Sequence, residues 1–160
     1  MIADISHYQG EINWAVARKN LKMCIFRASV GSNLDNKYLS YTKNCNLPFG
    51  AYHYVKAATE NQAIEEAKFF YKAATQNNTQ PLFFVADIEY ELQTKISTKP
   101  ITLAFCDTLR NLGVKKVGLY IDQGHYSYIK DSLDKFDFNF SLCLYISFLF
   151  DMYSSFEFWI

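Results

Sequence analysis

Short apolar runs rich in β-branched and aromatic residues alternate along this chain with segments of helical period, and that alternation restricts the fold more than any other feature. The runs are "MIADIS" (1–6), "KMCIFRAS" (22–29), "FGAYHYV" (49–55), "LFFVADIE" (82–89) and "KKVGLYI" (115–121). Helices are expected between them, over "NWAVARKN" with Asn13 as N-cap, over "NKYLSYTKNC" and over "GHYSYIKDSL". The helix after Thr59 has the clearest signature. Thr59 and Gln62 form a capping-box pattern, and Ala63, Ile64, Ala67, Phe70, Tyr71 and Ala74 then make one apolar face. Pro100 suits the first turn of a further helix with Ile101, Ala104, Phe105, Thr108, Leu109 and Leu112 along one side, and Gly113 suits its stop. Strand, helix, strand, helix means parallel strands joined by crossovers. The unbroken "LFFVA" fits a parallel strand buried on both faces. An open doubly wound sheet and a barrel both satisfy this. A complete eight-fold barrel takes about 250 residues. A chain of 160 residues is well short of that, so a TIM-like β/α barrel would have to be reduced or incomplete.

With 50% hydrophobic and 20% charged residues, the composition is that of one globular domain with a real core. A formal net charge of zero and no basic block argue against a nucleic-acid partner held through phosphates. The longest apolar stretch, "FNFSLCLYISFLF" (138–150), is too short for a comfortable membrane span. The start "MIADISHYQG" has no charged-then-apolar leader pattern, so no signal peptide is expected. Cys24, Cys45, Cys106 and Cys143 lie far apart without a CxxC pair, which implies neither a zinc site nor a disulfide framework. There is no G-x-S-x-G and no G-x-G-x-x-G. No metal and no cofactor are expected.

The chemistry concentrates at the end of "PLFFVADIEYE" (81–91), where Asp87 and Glu89 follow an apolar run. In a strand, positions i and i+2 face the same side, roughly 6.6 Å apart. These two lie at the C-terminal end of their strand, where α/β folds place their sites. Like charges there repel, so the pair holds a proton more readily than either acid alone, and we expect Glu89 to keep it beside an ionised Asp87. One protonated acid beside one carboxylate is the equipment of glycoside hydrolysis. A solvated loop and a divalent-cation site are the competing readings of D-x-E. Asp4 favours an active site, because a charge inside the short apolar strand "IADIS" needs a partner or a task. His7 and His53 lack metal-ligand spacing, and His53 reads as a hydrogen-bonded strand residue with Tyr52 and Tyr54 on the opposite face. Tyr52, Tyr54 and Tyr120 fall near strand ends, where tyrosines can stack on sugars, although most aromatics in such a chain are core.

Five pieces in order, "DISHYQGEINW" (4–14), "FRASVG" (26–31), "GAYHYV" (50–55), "ADIE" (86–89) and "GLYI" (118–121), resemble the Chalaropsis-type lysozymes of glycoside hydrolase family 25. The resemblance covers about residues 2 to 135. It implies an irregular β/α barrel that cleaves the β-1,4 bond between N-acetylmuramic acid and N-acetylglucosamine in bacterial peptidoglycan. It further implies Glu89 as general acid, Asp87 as the carboxylate that stabilises the charged intermediate, Asp4 as the first-strand active-site acid, and Tyr52 and Tyr120 as groove residues. A non-catalytic peptidoglycan-binding domain is the alternative, and a metal-dependent carbohydrate hydrolase a weaker third. The missing leader suits a phage or prophage lysin.

The likeness stops near the end. Residues 136–160 carry half of the 14 Phe and no Lys, Arg, Gly or Pro beyond Lys135. We expect a catalytic domain over 1–135 and an atypical Phe-rich tail over 136–160, from a shifted reading frame or a truncated gene, with a diverged last strand pair as the milder reading. Asp151 and Trp159 do not fit the family's closing segment. The uncharged, Pro-free "SLCLYISFLF" also has an aggregation signature.

Overall fold

The computed structural model describes residues 1–141. Six parallel strands run in the order β1 (Ile2–Ile5), β2 (Met23–Val30), β4 (Phe49–Tyr54), β5 (Phe84–Ile88), β6 (Val117–Ile121), β7 (Phe138–Ser141). The two-residue β3 (Asn33–Leu34) folds back antiparallel on the end of β2. Helices α1 (Trp14–Asn20), α2 (Tyr38–Cys45), α3 (Glu60–Thr75), α4 (Thr98–Asn111) and α5 (Gln123–Ile129) fill the connections. This is a mixed α/β fold with a curled parallel sheet, an incomplete TIM-like barrel.

Local signals account for the helix starts. Asn13 accepts a hydrogen bond from Val16 N–H (3.2 Å) at α1. Thr59 Oγ1 accepts from Gln62 N–H (3.3 Å) at α3, while Gln62 Oε1 reaches back to Ala58 N–H (2.8 Å), one residue earlier than a standard capping box. Pro100 lies in the first turn of α4, and Gly113 ends that helix at φ 96°. The expected face of α3 buries Ala63, Ala67, Phe70 and Ala74 and leaves Ile64 and Tyr71 half-covered. On α4, Ile101, Phe105 and Leu109 are buried, whereas Leu112 is exposed at the frayed end.

The strands serve two different fillings. Their outer faces supply Phe26, Ala51, Phe84, Ala86, Ile88, Leu119 and Ile121 to one core packed under the helices. His53 is buried on this side, stacked on Phe105 with ring centroids 5.3 Å apart. Its Nδ1 meets Ser29 Oγ at 2.8 Å and its Nε2 meets Glu66 at 3.0 Å, so a polar bridge ties β2 and β4 to α3. Burial holds the His53 ring below the usual imidazole range, against the pull of Glu66. Cys24, Cys45 and Cys106 are buried free thiols, and Cys143 lies outside the described residues.

The inner face is filled at its base by aromatics laid over glycines. The Phe83 and Phe138 rings meet edge to face, 5.1 Å apart. A Cβ on Gly50 would lie 2.2 Å from Phe83, and one on Gly118 would lie 2.1 Å from Phe138. Only glycine leaves room there. Above this floor the inner face turns polar.

The sheet continues past residue 135. Asp137 accepts from Val117 N–H (2.8 Å), and β7 pairs with β6 from Gly118↔Phe138 to Ile121↔Ser141. The expected domain boundary therefore falls inside the described sheet. The expectations for Asp151, Trp159 and the aggregation-prone segment beyond residue 141 lie outside the described residues.

Replacing Gly50 with Ala should force the Phe83 ring aside and destabilise the domain by roughly 1–3 kcal/mol. Adding Phe83→Leu should recover part of that loss, as expected for two side chains in contact. Urea unfolding of the single and double variants reads both numbers. Equal stability of Gly50→Ala and wild type would refute the packed floor.

Candidate active site

The register of the sheet decides which side chains meet. Asp4 on β1 sits beside Ile25 on β2, Arg27 beside Tyr52, Tyr54 beside Asp87, and Asp87 beside Tyr120. A break in register between Arg27 and Ser29 lets Ser29 turn to the core while Arg27 and Val30 face inward. Asp4, Tyr52, Asp87, Glu89 and Tyr120 all line one open cavity of about 710 Å³ at the C-terminal ends of the strands. The five residues singled out in the sequence are thus together. His53 is not among them, as its alternation with Tyr52 and Tyr54 requires.

Four carboxylates line the cavity, Asp4, Asp87, Glu89 and Glu91, and the first three differ in their surroundings. Asp87 is buried, and its Oδ1 has no hydrogen-bond partner among the described residues. Burial, then the charges of Glu89 and Asp4, push its carboxyl well above the usual range. Asp4 opens onto the cavity yet is hemmed in by protein; burial lifts it to about 6, against a hydrogen bond from the Tyr52 hydroxyl and the charge of Arg27. Glu89 is half-buried and raised by burial and then by Asp122, with His125 acting in the opposite direction. The direction for Glu89 and its main cause, a partly dry crevice, are the expected ones, but the charge that adds to it is that of Asp122 and not of Asp87. Burial thus raises both acids of the pair, so each holds a proton more readily than a free carboxyl.

Four residues that shape this field were not singled out beforehand. Arg27 lines the cavity together with Lys56; it is held by Nε to Asp35 (3.0 Å) and packed 5.1 Å from the Tyr8 ring. Its Nη2 also meets His7 Nδ1 at 2.5 Å. Asp35 is buried and stays below the usual carboxylate range despite that burial, because it accepts from the backbone of Lys37 and His7, the His7 ring and Arg27. Asp122 caps α5 and contacts His125. A charged residue inside an apolar strand, the signal used for Asp4, applied equally to Arg27 in "IFRAS". Asp35 gave no such signal. Among the described residues no group of three or more His, Cys, Asp or Glu is arranged to hold a metal ion, and no helix is long and apolar enough to cross a membrane.

Comparison with known proteins agrees with this geometry. The family model described as glycosyl hydrolases family 25 matches residues 3–142. No curated protein matches the chain. Among solved structures, GHIP, a glycosyl hydrolase 25 of Streptococcus pneumoniae participating in host cell invasion, superposes with a TM-score of 0.78 at 23% identity, over 88% of this chain and 66% of that one. A family 25 glycosyl hydrolase from Bacillus anthracis gives 0.71 at 26% identity, over 85% of this chain and 67% of that one. The modular autolysin LytC from S. pneumoniae, solved with a synthetic peptidoglycan ligand, gives 0.72 at 22% identity, over 81% of this chain and 34% of that one. The chain thus spans 66% of the length of GHIP and 34% of that of LytC. With nearly all of its described residues inside the family match, the chain belongs to glycosyl hydrolases family 25.

Proposed function

We propose that this protein is a peptidoglycan hydrolase of the lysozyme type, an N-acetylmuramidase acting on the β-1,4 bond between N-acetylmuramic acid and N-acetylglucosamine. The observation that carries the reading is the pair Asp87 and Glu89 in the polar cavity at the strand ends, two acids in unlike environments. The family match and the peptidoglycan ligand of LytC support the substrate class.

In this reading Glu89, the more accessible of the pair, protonates the glycosidic oxygen as the bond breaks. It then takes a proton from the incoming water. Asp87 steadies the positive charge at the anomeric carbon, either by direct attack or by orienting the 2-acetamido group of the sugar. Its unpartnered Oδ1 suits the second route, because an acetamido N–H would supply the missing hydrogen bond. Asp4 is tied to Tyr52 and balances Arg27 across the cavity. Tyr52 and Tyr120 offer ring and hydroxyl to the sugar. The catalytic unit is the sheet and helices from residue 1 through β7.

Glu89→Gln keeps shape and removes the donor. Clearing of purified cell walls should fall by about 10²–10⁴-fold while the variant still sediments with them. Activity within a small factor of wild type would remove Glu89 from the mechanism.

Asp87 yields a prediction of opposite sign for stability and activity. Its folded-state pKa lies above the unfolded value, so its favourable contribution is complete below about pH 3.9 and is lost as pH rises through the folded value. At pH 8 folding must either take up a proton at this carboxyl or bury its charge, and either opposes folding. Asp87→Asn should therefore melt at a higher temperature than wild type at pH 8, with the gap closing as pH falls toward 4, and should lose most of its turnover. A variant that melts lower than wild type at pH 8 would contradict the buried, unpaired carboxylate.

A further inference from the structure

The strongest unassigned feature lies beside the catalytic pair and not within it. Asp122 follows β6 and donates its N–H to Ile88 O (3.4 Å), one step beyond the last paired residues, Ile88 and Ile121. That places it level with Glu89. Its Oδ1 caps α5 by accepting from His125 N–H (2.8 Å), and the same oxygen lies 2.6 Å from His125 Nδ1. On the far side of the ring, His125 Nε2 is 3.0 Å from the carbonyl oxygen of Gln93.

Donor and acceptor bookkeeping then fixes the state of the ring. A carbonyl oxygen only accepts, so Nε2 carries a hydrogen. If the ring is neutral, Nδ1 presents a lone pair to Oδ1, and two lone pairs at 2.6 Å repel. A proton must lie between them. The unit is either imidazolium against carboxylate or imidazole against carboxylic acid, and both forms are neutral overall. Loss of that proton leaves one negative charge beside Glu89. The groups facing the unit are Glu89 at the end of β5, the Gln93 carbonyl in the β5–α4 loop and the Tyr128 ring edge within α5. Asp87 also feels the charge of Asp122. His125 is buried, so solvent does not readily substitute for either partner.

We propose that Asp122 and His125 share one proton and act as a positioning pair whose charge sets how firmly Glu89 holds its own. The proposal rests on Glu89 as the proton donor, and it assigns the two members opposite effects. The charge of Asp122 favours the protonated acid, and that of His125 favours the carboxylate. A pair that merely braced α5 would not split in sign.

The test is a carbon-13 NMR titration of the Glu89 side-chain carboxyl in wild type, Asp122→Asn and His125→Gln. Asn keeps the N-cap, and Gln keeps a donor for the Gln93 carbonyl. Asp122→Ser, another neutral cap, replaces Asp122→Asn if that variant fails to fold. The Glu89 midpoint should fall in the Asp122 variant and rise in His125→Gln, each by roughly half to one unit. A far-downfield imidazole N–H resonance should appear in wild type and vanish in both variants. Shifts in the same direction, no shifts, or no such resonance in wild type would overturn the proposal. The alkaline limb of wall-clearing activity should follow the Glu89 midpoints. Midpoints that split as stated with an unmoved alkaline limb would uphold the pair and refute Glu89 as the donor.

Discussion

Everything in this structure depends on the two-sidedness of a parallel strand. Each strand between β1 and β6 must give one face to the helical layer and the other to the barrel interior. The helical side tolerates only apolar residues and fully bonded polar ones such as His53. The interior is too narrow at its base for side chains on every strand, so Gly50 and Gly118 yield their space to Phe83 and Phe138. At the open end the same alternation brings polar residues inward, and five strands contribute to one cavity. The site is therefore a product of register: regular alternation aims Arg27 into it, and the irregularity that follows on β2 turns Ser29 to the core and Val30 inward.

Electrostatics follow from that crowding. Asp4, Asp87 and Glu89 share the cavity with Arg27, which is itself held by the buried Asp35. Burial and mutual repulsion make these acids hold protons more readily than free carboxyls do. Burial raises all three, and Asp122 and His125 act on Glu89 in opposite directions. An active site with so many like charges opposes folding at neutral pH, and the packed helical side offsets it.

Much of this was legible in the chain itself. Alternating apolar runs identify five of the parallel strands and their C-terminal acids, because burial on both faces leaves a continuous hydrophobic signal. Asp4 stands out by its apolar flanks, and Asn13 and Thr59 by their capping positions. β7 is harder to read, since its "FNFS" opens a Phe-rich stretch with no turn or helix signal to bound a strand, although the family match reaches residue 142. Asp35 is invisible in sequence because its value depends on a turn that brings it under β2. Asp122 reads as a helix cap, and only the β5–β6 register sets it beside Glu89. The upward push on Asp87 and Glu89 comes first from burial, which their spacing does not encode.

The central claim is that this cavity hydrolyses the glycan strand of peptidoglycan on the muramic acid side. The direct measurement is to digest purified peptidoglycan with the protein, reduce the new ends with borohydride and identify the reduced sugar by mass spectrometry. The account predicts new reducing ends on N-acetylmuramic acid, recovered as its alditol. Reduced N-acetylglucosamine, newly freed amines from cut peptides, or no new ends at all would contradict it.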